Sequence, residues 1–394
     1  VQLSPEVRLL RFALVYGANA SGKSNLLEAF SYLKDFWFEK RQDIDEPTGV
    51  IPFLLDTETK NQPTEFSLRF FVGSVRYWYI LKIDSSKVYN EKLYYYTTNQ
   101  PTLIFNRELN GGQSFIKFNP AVVKISQTAL EELTLKCLPN MSIFAARNQV
   151  NISITKMDDA RDWMRSKILP IIDPQTNMFE IAGKKIHENE ALKKYMLDFV
   201  HRADFNITDV QTNKVSTTLP TAFVSAMIAD NKVSAEEKER LKSNSNFDSI
   251  KTMFQHTVKN SRGIETYMLP NNLQLDGTRR TFGIETAIYE AIERQAFMAI
   301  DEIESSLHPD LVEFILEKFL REKNESQLLI TSHYDPLLNT VDDLLRKDSI
   351  WFTEKDESGA TSLYSLVEFR GLGKIKSFQK SYRNGLFGAI PSIK

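Results

Sequence analysis

The chain contains one cysteine, Cys137, in 394 residues. That excludes a disulfide framework and any cysteine-built metal site, and it points to a reducing compartment, with Cys137 read as a small buried apolar residue rather than a nucleophile. Long apolar runs are missing: nothing approaches the roughly 18 consecutive apolar residues of a membrane span, and no charged-then-apolar leader opens the sequence. A cytoplasmic protein with no membrane partner is therefore expected. An excess of positive charge is missing too. With 49 Lys and Arg against 51 Asp and Glu, the formal net charge is −2. A globally basic nucleic-acid binder is thereby removed, and a local patch is left as the route by which DNA could bind. Histidine is scarce, at five residues, and His187, His201 and His256 lack metal-ligand spacing.

What is present is ordinary globular composition, 42% hydrophobic and 25% charged, over a length that suits two or three structural units. One stretch in it is chemically explicit. Gly17-Ala-Asn-Ala-Ser-Gly-Lys-Ser24 fits G-x-x-x-x-G-K-[ST], the phosphate-binding loop pattern. Glycines at Gly17 and Gly22 let the backbone turn so that its N–H groups converge on phosphate oxygens at the start of a helix. Lys23 supplies a point charge for the β/γ-phosphates, and Ser24 supplies a hydroxyl for Mg²⁺. Asn19, Ser21 and Asn25 complete the expected nucleotide-contacting set. The context agrees, since Phe12-Ala-Leu-Val-Tyr16 has strand character and Leu26, Leu27, Phe30 and Leu33 fall at helical spacing.

After a polar connection, the pattern changes to β. Glu65–Val72 and Val75–Asp84 are joined by Gly73-Ser74, a two-residue hairpin signal, and the meander continues through Asn90–Thr97, Pro101–Arg107 and Phe115–Phe118. The aromatics of this lobe, including Tyr94, Tyr95 and Tyr96, suit strand packing or a base-stacking platform. From about residue 126 to 262 the reading is mainly helical, with Thr128–Lys136, Asp158–Leu169, Asn189–Val200 and Ala235–Lys242 as helices. The Glu/Lys-rich segment after Asn231 reads as a solvated helix face or a partner-binding arm.

Chemistry returns late in the chain. Ala296-Phe-Met-Ala-Ile300 is an apolar strand that ends in Asp301-Glu302. In a protein with a phosphate loop, Asp301 would hold Mg²⁺ opposite Ser24, and Glu302 would polarise the attacking water as general base. Gln327–Ser332 is another buried strand, reached by a crossover helix that starts at Pro309. His333 falls just beyond its carboxyl end, where an open parallel sheet binds ligands, so that Lys23, Glu302 and His333 form the expected catalytic group. Upstream, Leu275-Asp-Gly-Thr-Arg-Arg280 puts a Gly-Thr turn before a helix. It reads as a second anion-binding helix start, with Gly277 and Thr278 donating and Arg279 or Arg280 adding charge, and Asp276, Gly277, Thr278 and Arg279 are the expected nucleotide contacts. One nucleotide already has its cradle, so a second helix start suggests that two subunits share each nucleotide.

This series resembles the ABC-type ATPase heads of the SMC, RecF and OLD group. Gly17–Ser24 stands as Walker A, Asp276–Arg280 in the signature position, Asp301-Glu302 as Walker B, Ser305-Ser-Leu-His-Pro309 as D-loop and His333 as switch histidine. It is more closely similar to the stand-alone RloA-like "AAA family" ATPases of bacterial phage-defence and abortive-infection loci. Asp276–Arg280, Asp301–Pro309, Ile350-Trp-Phe-Thr-Glu-Lys355, Leu363-Tyr-Ser-Leu366 and Arg383-Asn-Gly-Leu-Phe-Gly-Ala-Ile-Pro391 carry that likeness. The sequence departs at Leu275, where the signature usually has serine, and it has neither a long heptad arm nor a Toprim-like acidic cluster downstream.

The resemblance implies an α/β fold of ABC-head type with an inserted antiparallel β lobe and an inserted helical region. The expected division is ATPase core 1–60, β lobe 61–125, helical insertion 126–270 and ATPase core 271–394. The implied function is ATP hydrolysis with Mg²⁺ by a homodimer, or a higher oligomer, that shares nucleotide sites and controls a separate nuclease or toxin effector. A DNA-repair ATPase and an ATP-stabilised scaffold are the alternatives. Because the sequence opens at Val1 with the phosphate-loop strand close behind, a further N-terminal segment is expected.

Overall fold

In the computed structural model, all residues are described except 4–6, 204, 219, 231–234, 244–245 and 392–394; the side chains of 217, 235–237, 243 and 246–247 are also left aside. The chain runs β1 (Phe12–Gly17), α1 (Lys23–Phe38), β2 (Thr64–Val72), β3 (Val75–Ile83), β4 (Val88–Tyr96), β5 (Pro101–Asn110), β6 (Gln113–Phe118), α2 (Gln127–Lys136), α3 (Ile143–Arg147) and α4 (Thr155–Lys167). It continues with α5 (Met178–Glu188), α6 (Glu190–Arg202), β7 (Ile207–Thr218), α7 (Thr221–Ala229), α8 (Ala235–Ser243), β8 (Asn246–Asn260), β9 (Gly263–Pro270) and α9 (Asp276–Arg294). β10 (Phe297–Ile300), α10 (Pro309–Arg321), β11 (Gln327–Thr331), β12 (Ile350–Lys355), β13 (Thr361–Ser365) and α11 (Phe378–Arg383) complete it. Two compact units emerge: Val1–Asp173 with Ala291–Ile303 and Leu320–Lys394, and Pro174–Glu290 with Glu304–Phe319.

The first unit is built on a five-stranded sheet of order β10-β11-β1-β12-β13, in which the first four strands are parallel and β13 is antiparallel. Strands buried on both faces read as continuous apolar runs, and Leu14, Val15, Met298, Ile300, Leu328, Ile330, Ile350 and Phe352 are all buried. The neighbours that β1 needs come from the far end of the sequence: Leu14 pairs with Ile330 on one side and Ile350 on the other. Residues 168–172 shield the outer edge of β10, where Leu169 N–H donates to Phe297 O and Ile172 N–H to Ala299 O. Gly17, Ile300 and Thr331 end their strands at the same edge of the sheet, which brings the segments that follow them together.

The same unit holds the antiparallel meander β2-β3-β4-β5-β6. Val72 pairs with Val75 across the two-residue turn, and Gly73 takes the positive φ that this turn requires. Aromatics of the lobe's inner face serve its core. Trp37 of α1 stacks on Phe144 at 3.8 Å between ring centroids and meets Tyr79 edge-on, while Tyr77 and Tyr79 are fully buried.

The stretch 126–270, expected to be helical, carries helices and, in its second-unit part, a three-stranded antiparallel sheet, β7-β8-β9. The departure has a physical cause. Ile207–Thr218 is rich in Thr and other polar residues, with Val only at 210 and 215 and no apolar helical stripe, and pairing with β8 gives that backbone its hydrogen bonds. Phe254 of β8 is buried against Phe179 and against Phe282 of α9. Part of the Glu/Lys-rich segment, 231–234, lies outside the described residues, and α8 follows it.

Candidate functional site

The loop after β1 turns into α1 through two left-handed residues, Ala20 (φ 60°) and Gly22 (φ 98°), and Gly22 serves as N-cap of the helix. Lys23 is buried, and its Nζ donates to Gly17 O at 2.8 Å and Ala18 O at 3.1 Å, which holds the ammonium inside the loop. Ser24 Oγ donates to Asp301 Oδ2 at 2.6 Å. The other oxygen of Asp301 accepts from Thr331 Oγ1, and the Thr331 hydroxyl accepts from the Glu302 N–H at 2.9 Å. Glu302 has φ 46°, a conformation that costs a side-chain-bearing residue on the order of 1–3 kcal/mol and here aims its carboxylate. Its Oε1 lies 3.6 Å from His333 Nε2.

These groups face one cleft of about 390 Å³, lined by Asn19, Ala20, Ser21, Gly22, Lys23, Ser24, Asn25, Glu302, His333 and Lys355. All belong to the first unit. Asp301 sits behind them and is buried. Ser24 and Asp301 offer a hydroxyl and a carboxylate side by side, a hard-oxygen donor pair that fits Mg²⁺ and leaves its remaining positions to phosphate and water.

Asp276, Gly277, Thr278 and Arg279 belong to the second unit and form the first turn of α9. Thr278 is buried, Thr281 Oγ1 donates to Gly277 O at 2.7 Å, and Arg279 lies 3.5 Å from Asp276. A Cβ on Gly277 would come within 2.7 Å of the carbonyl oxygen of Ser306, so glycine lets this turn lie directly on the segment that precedes α10. Leu275, at the position where the resembled signature usually has serine, is 80% exposed.

Four residues here have no role that the sequence alone assigns: Thr331, Thr353, Thr361 and Lys355. Thr353 Oγ1 is 2.7 Å from Ser21 Oγ, and Thr361 Oγ1 donates to Ser21 O at 2.9 Å, so β12 and β13 brace the phosphate loop. A signal existed. Thr331 closes the run Leu328-Leu-Ile330 and Thr353 follows Ile350-Trp-Phe352, hydroxyls placed after apolar runs toward the carboxyl edge at which such a sheet binds ligands.

Residues 12–339 match the model of the family described as "AAA domain, putative AbiEii toxin, Type IV TA system". The chain belongs to this family. In this chain the phosphate-loop pattern follows the central strand of a mainly parallel five-stranded sheet, with separate antiparallel sheets added. No curated protein matches the chain. Among solved structures it is similar to the SMC head domain from Thermotoga maritima (9% identity, 89% of each chain, TM-score 0.34). It is also similar to an SMC head bound to the C-terminal winged-helix domain of ScpA (13%, 92% of each chain, 0.36). A third is an SMC head with an extended coiled coil bound to the C-terminal domain of ScpA, derived from Pyrococcus furiosus (12%, 91% of each chain, 0.31).

Proposed function

We propose that this member of the family hydrolyses ATP and uses the cycle to gate a separate effector in bacterial anti-phage defence. The observation that carries the hydrolytic reading is the Ser24–Asp301 hydrogen bond, beside which Glu302 and His333 face the same cleft as Lys23. Ser24 and Asp301 would hold Mg²⁺, which neutralises phosphate charge when bound. The loop amides and Lys23 bind and orient the polyphosphate. Glu302 takes a proton from water as the water oxygen bonds to the γ-phosphorus and the bond to the bridging oxygen breaks, leaving ADP and phosphate. His333, beside Glu302, orients that water and meets the terminal phosphate.

Asp276–Arg279 serve the nucleotide of a second copy, so that ATP closes a homodimer by contacts available only in the closed state. The defence role is supported by the family's description as an AbiEii-type toxin of a toxin–antitoxin system and by the motifs shared with the RloA-like group. The test is to measure ATP binding, turnover and oligomeric state together. Lys23→Ala should lose binding. Glu302→Gln should bind ATP, turn over at least about 100-fold more slowly and accumulate as a dimer. Wild-type turnover by Glu302→Gln would remove the role given to Glu302, and an ATP-saturated monomer would remove the shared site.

A further inference from the structure

Lys355 is the last residue of β12 and lines the cleft opposite Glu302 and His333. Its position follows from strand geometry. Successive side chains alternate between faces, so Thr353 and Lys355 share one face while Glu354 takes the other. Thr353 is bonded to Ser21 of the phosphate loop, which identifies the shared face as the one toward the loop. Glu354 is turned away, where it accepts from the Tyr364 hydroxyl at 3.2 Å beside Gly388. Lys355 is exposed, and among the described residues it forms no ion pair. The hairpin that carries it is fixed to the loop at two points, through Thr353 and Thr361, so the backbone of Lys355 is set beside the loop without use of its ammonium donors.

We propose that Lys355 is a second phosphate-binding cation, one that grips the α-phosphate side of the nucleotide. This rests on the reading of the cleft as a nucleotide site. The sheet order sets the polarity. Glu302 and His333 follow β10 and β11 on one side of β1, and hydrolysis requires the terminal phosphate there. β12 flanks β1 on the other side, so Lys355 meets the polyphosphate from its nucleoside end. A contact at that end is made equally by ATP and ADP and does not change as the γ-phosphate leaves. It therefore contributes to binding, and not to the chemical step.

The experiment titrates the full chain with fluorescent ATP and ADP analogues in Mg²⁺ buffer and measures steady-state hydrolysis of ATP. Losing one charge-assisted contact should weaken both nucleotides by about 10-fold in Lys355→Ala, with kcat within about twofold of wild type. Lys355→Arg should recover most of the affinity, and Lys355→Gln should behave as Ala does. Glu354→Ala, on the opposite face, should leave both affinities unchanged. Wild-type protein that binds nucleotide while Lys355→Ala and Lys355→Gln bind equally well would overturn the proposal and leave the nucleotide site standing. A selective loss of ATP over ADP, or a fall in kcat at unchanged KM, would overturn the assigned position. Failure of the wild type to bind either nucleotide would overturn the reading of the site and this proposal with it.

Discussion

Ser24 and Asp301 are 277 positions apart in sequence, and their side chains share a hydrogen bond of 2.6 Å. The bond joins the first turn of α1 to the end of β10. Thr331 then fixes both Asp301, through Oδ1, and the backbone of Glu302. One hydroxyl on β11 thus orients the carboxylate assigned to the ion and the carboxylate assigned to water.

Thr331→Val keeps the shape of the side chain and removes that hydroxyl. Supporting groups of this kind are worth about 10–100-fold, so kcat should fall by that factor while the protein remains folded. Magnesium should also be needed at higher concentration for half-maximal turnover. A variant with wild-type rates and an unchanged magnesium requirement would show that Thr331 is only strand packing.

Gly22→Ala asks for two incompatible things. The residue must keep φ at 98°, and its Cβ would fall 2.4 Å from Thr361 Oγ1. The left-handed conformation alone costs about 1–2 kcal/mol, and the contact adds to it. Nucleotide binding should be lost with a modest drop in melting temperature. Combining Gly22→Ala with Thr361→Ala should restore part of the binding by opening space, which a titration of the double variant would read directly.

Lys318 of α10 is 3.0 Å from Glu285 of α9, whose side chain is fully buried, and Tyr195 of α6 donates to the same oxygen at 3.0 Å. The ammonium also lies over the Tyr195 ring at 3.4 Å. Lys318→Met strands a buried carboxylate and should cost about 3–5 kcal/mol in urea unfolding of the chain. Adding Glu285→Gln should recover a good part of that loss. If the single variant unfolds at the wild-type urea concentration, the pair contributes nothing.

Cys137 is buried, and burial pushes its thiol up to about 11. The reactive thiolate is therefore scarce at pH 8, and the sulfur is inaccessible besides. Native protein should react with a thiol reagent at pH 8 at least about 100-fold more slowly than protein in urea, and the native rate should still be rising above pH 9. A prompt native reaction at pH 8 would contradict this packing.

The residues assigned to the chemistry were legible because the roles proposed for them depend on local order. The Gly17–Ser24 loop needs glycines, lysine and serine at fixed offsets between a strand and a helix, and Asp301-Glu302 and His333 follow apolar runs that can only be buried strands. The two-residue turn at Gly73-Ser74 was equally local, set by what the backbone allows. Less local features stayed hidden. The strands β7 to β9 carry no strong period of their own and owe their state to pairing, which is decided by partners up to dozens of residues away. Thr331, Thr353, Thr361 and Lys355 are ordinary residues in sequence. They become part of a site because β11, β12 and β13 add to the sheet around β1, at the edge where its phosphate loop emerges. The sequence by itself determined that a glycine-rich loop of phosphate-binding pattern follows one strand and that two carboxylates and a histidine follow two others. Only the tertiary structure decided which hydroxyls orient those groups and which second lysine shares the cleft, because strand pairing places side chains by register and not by distance along the chain.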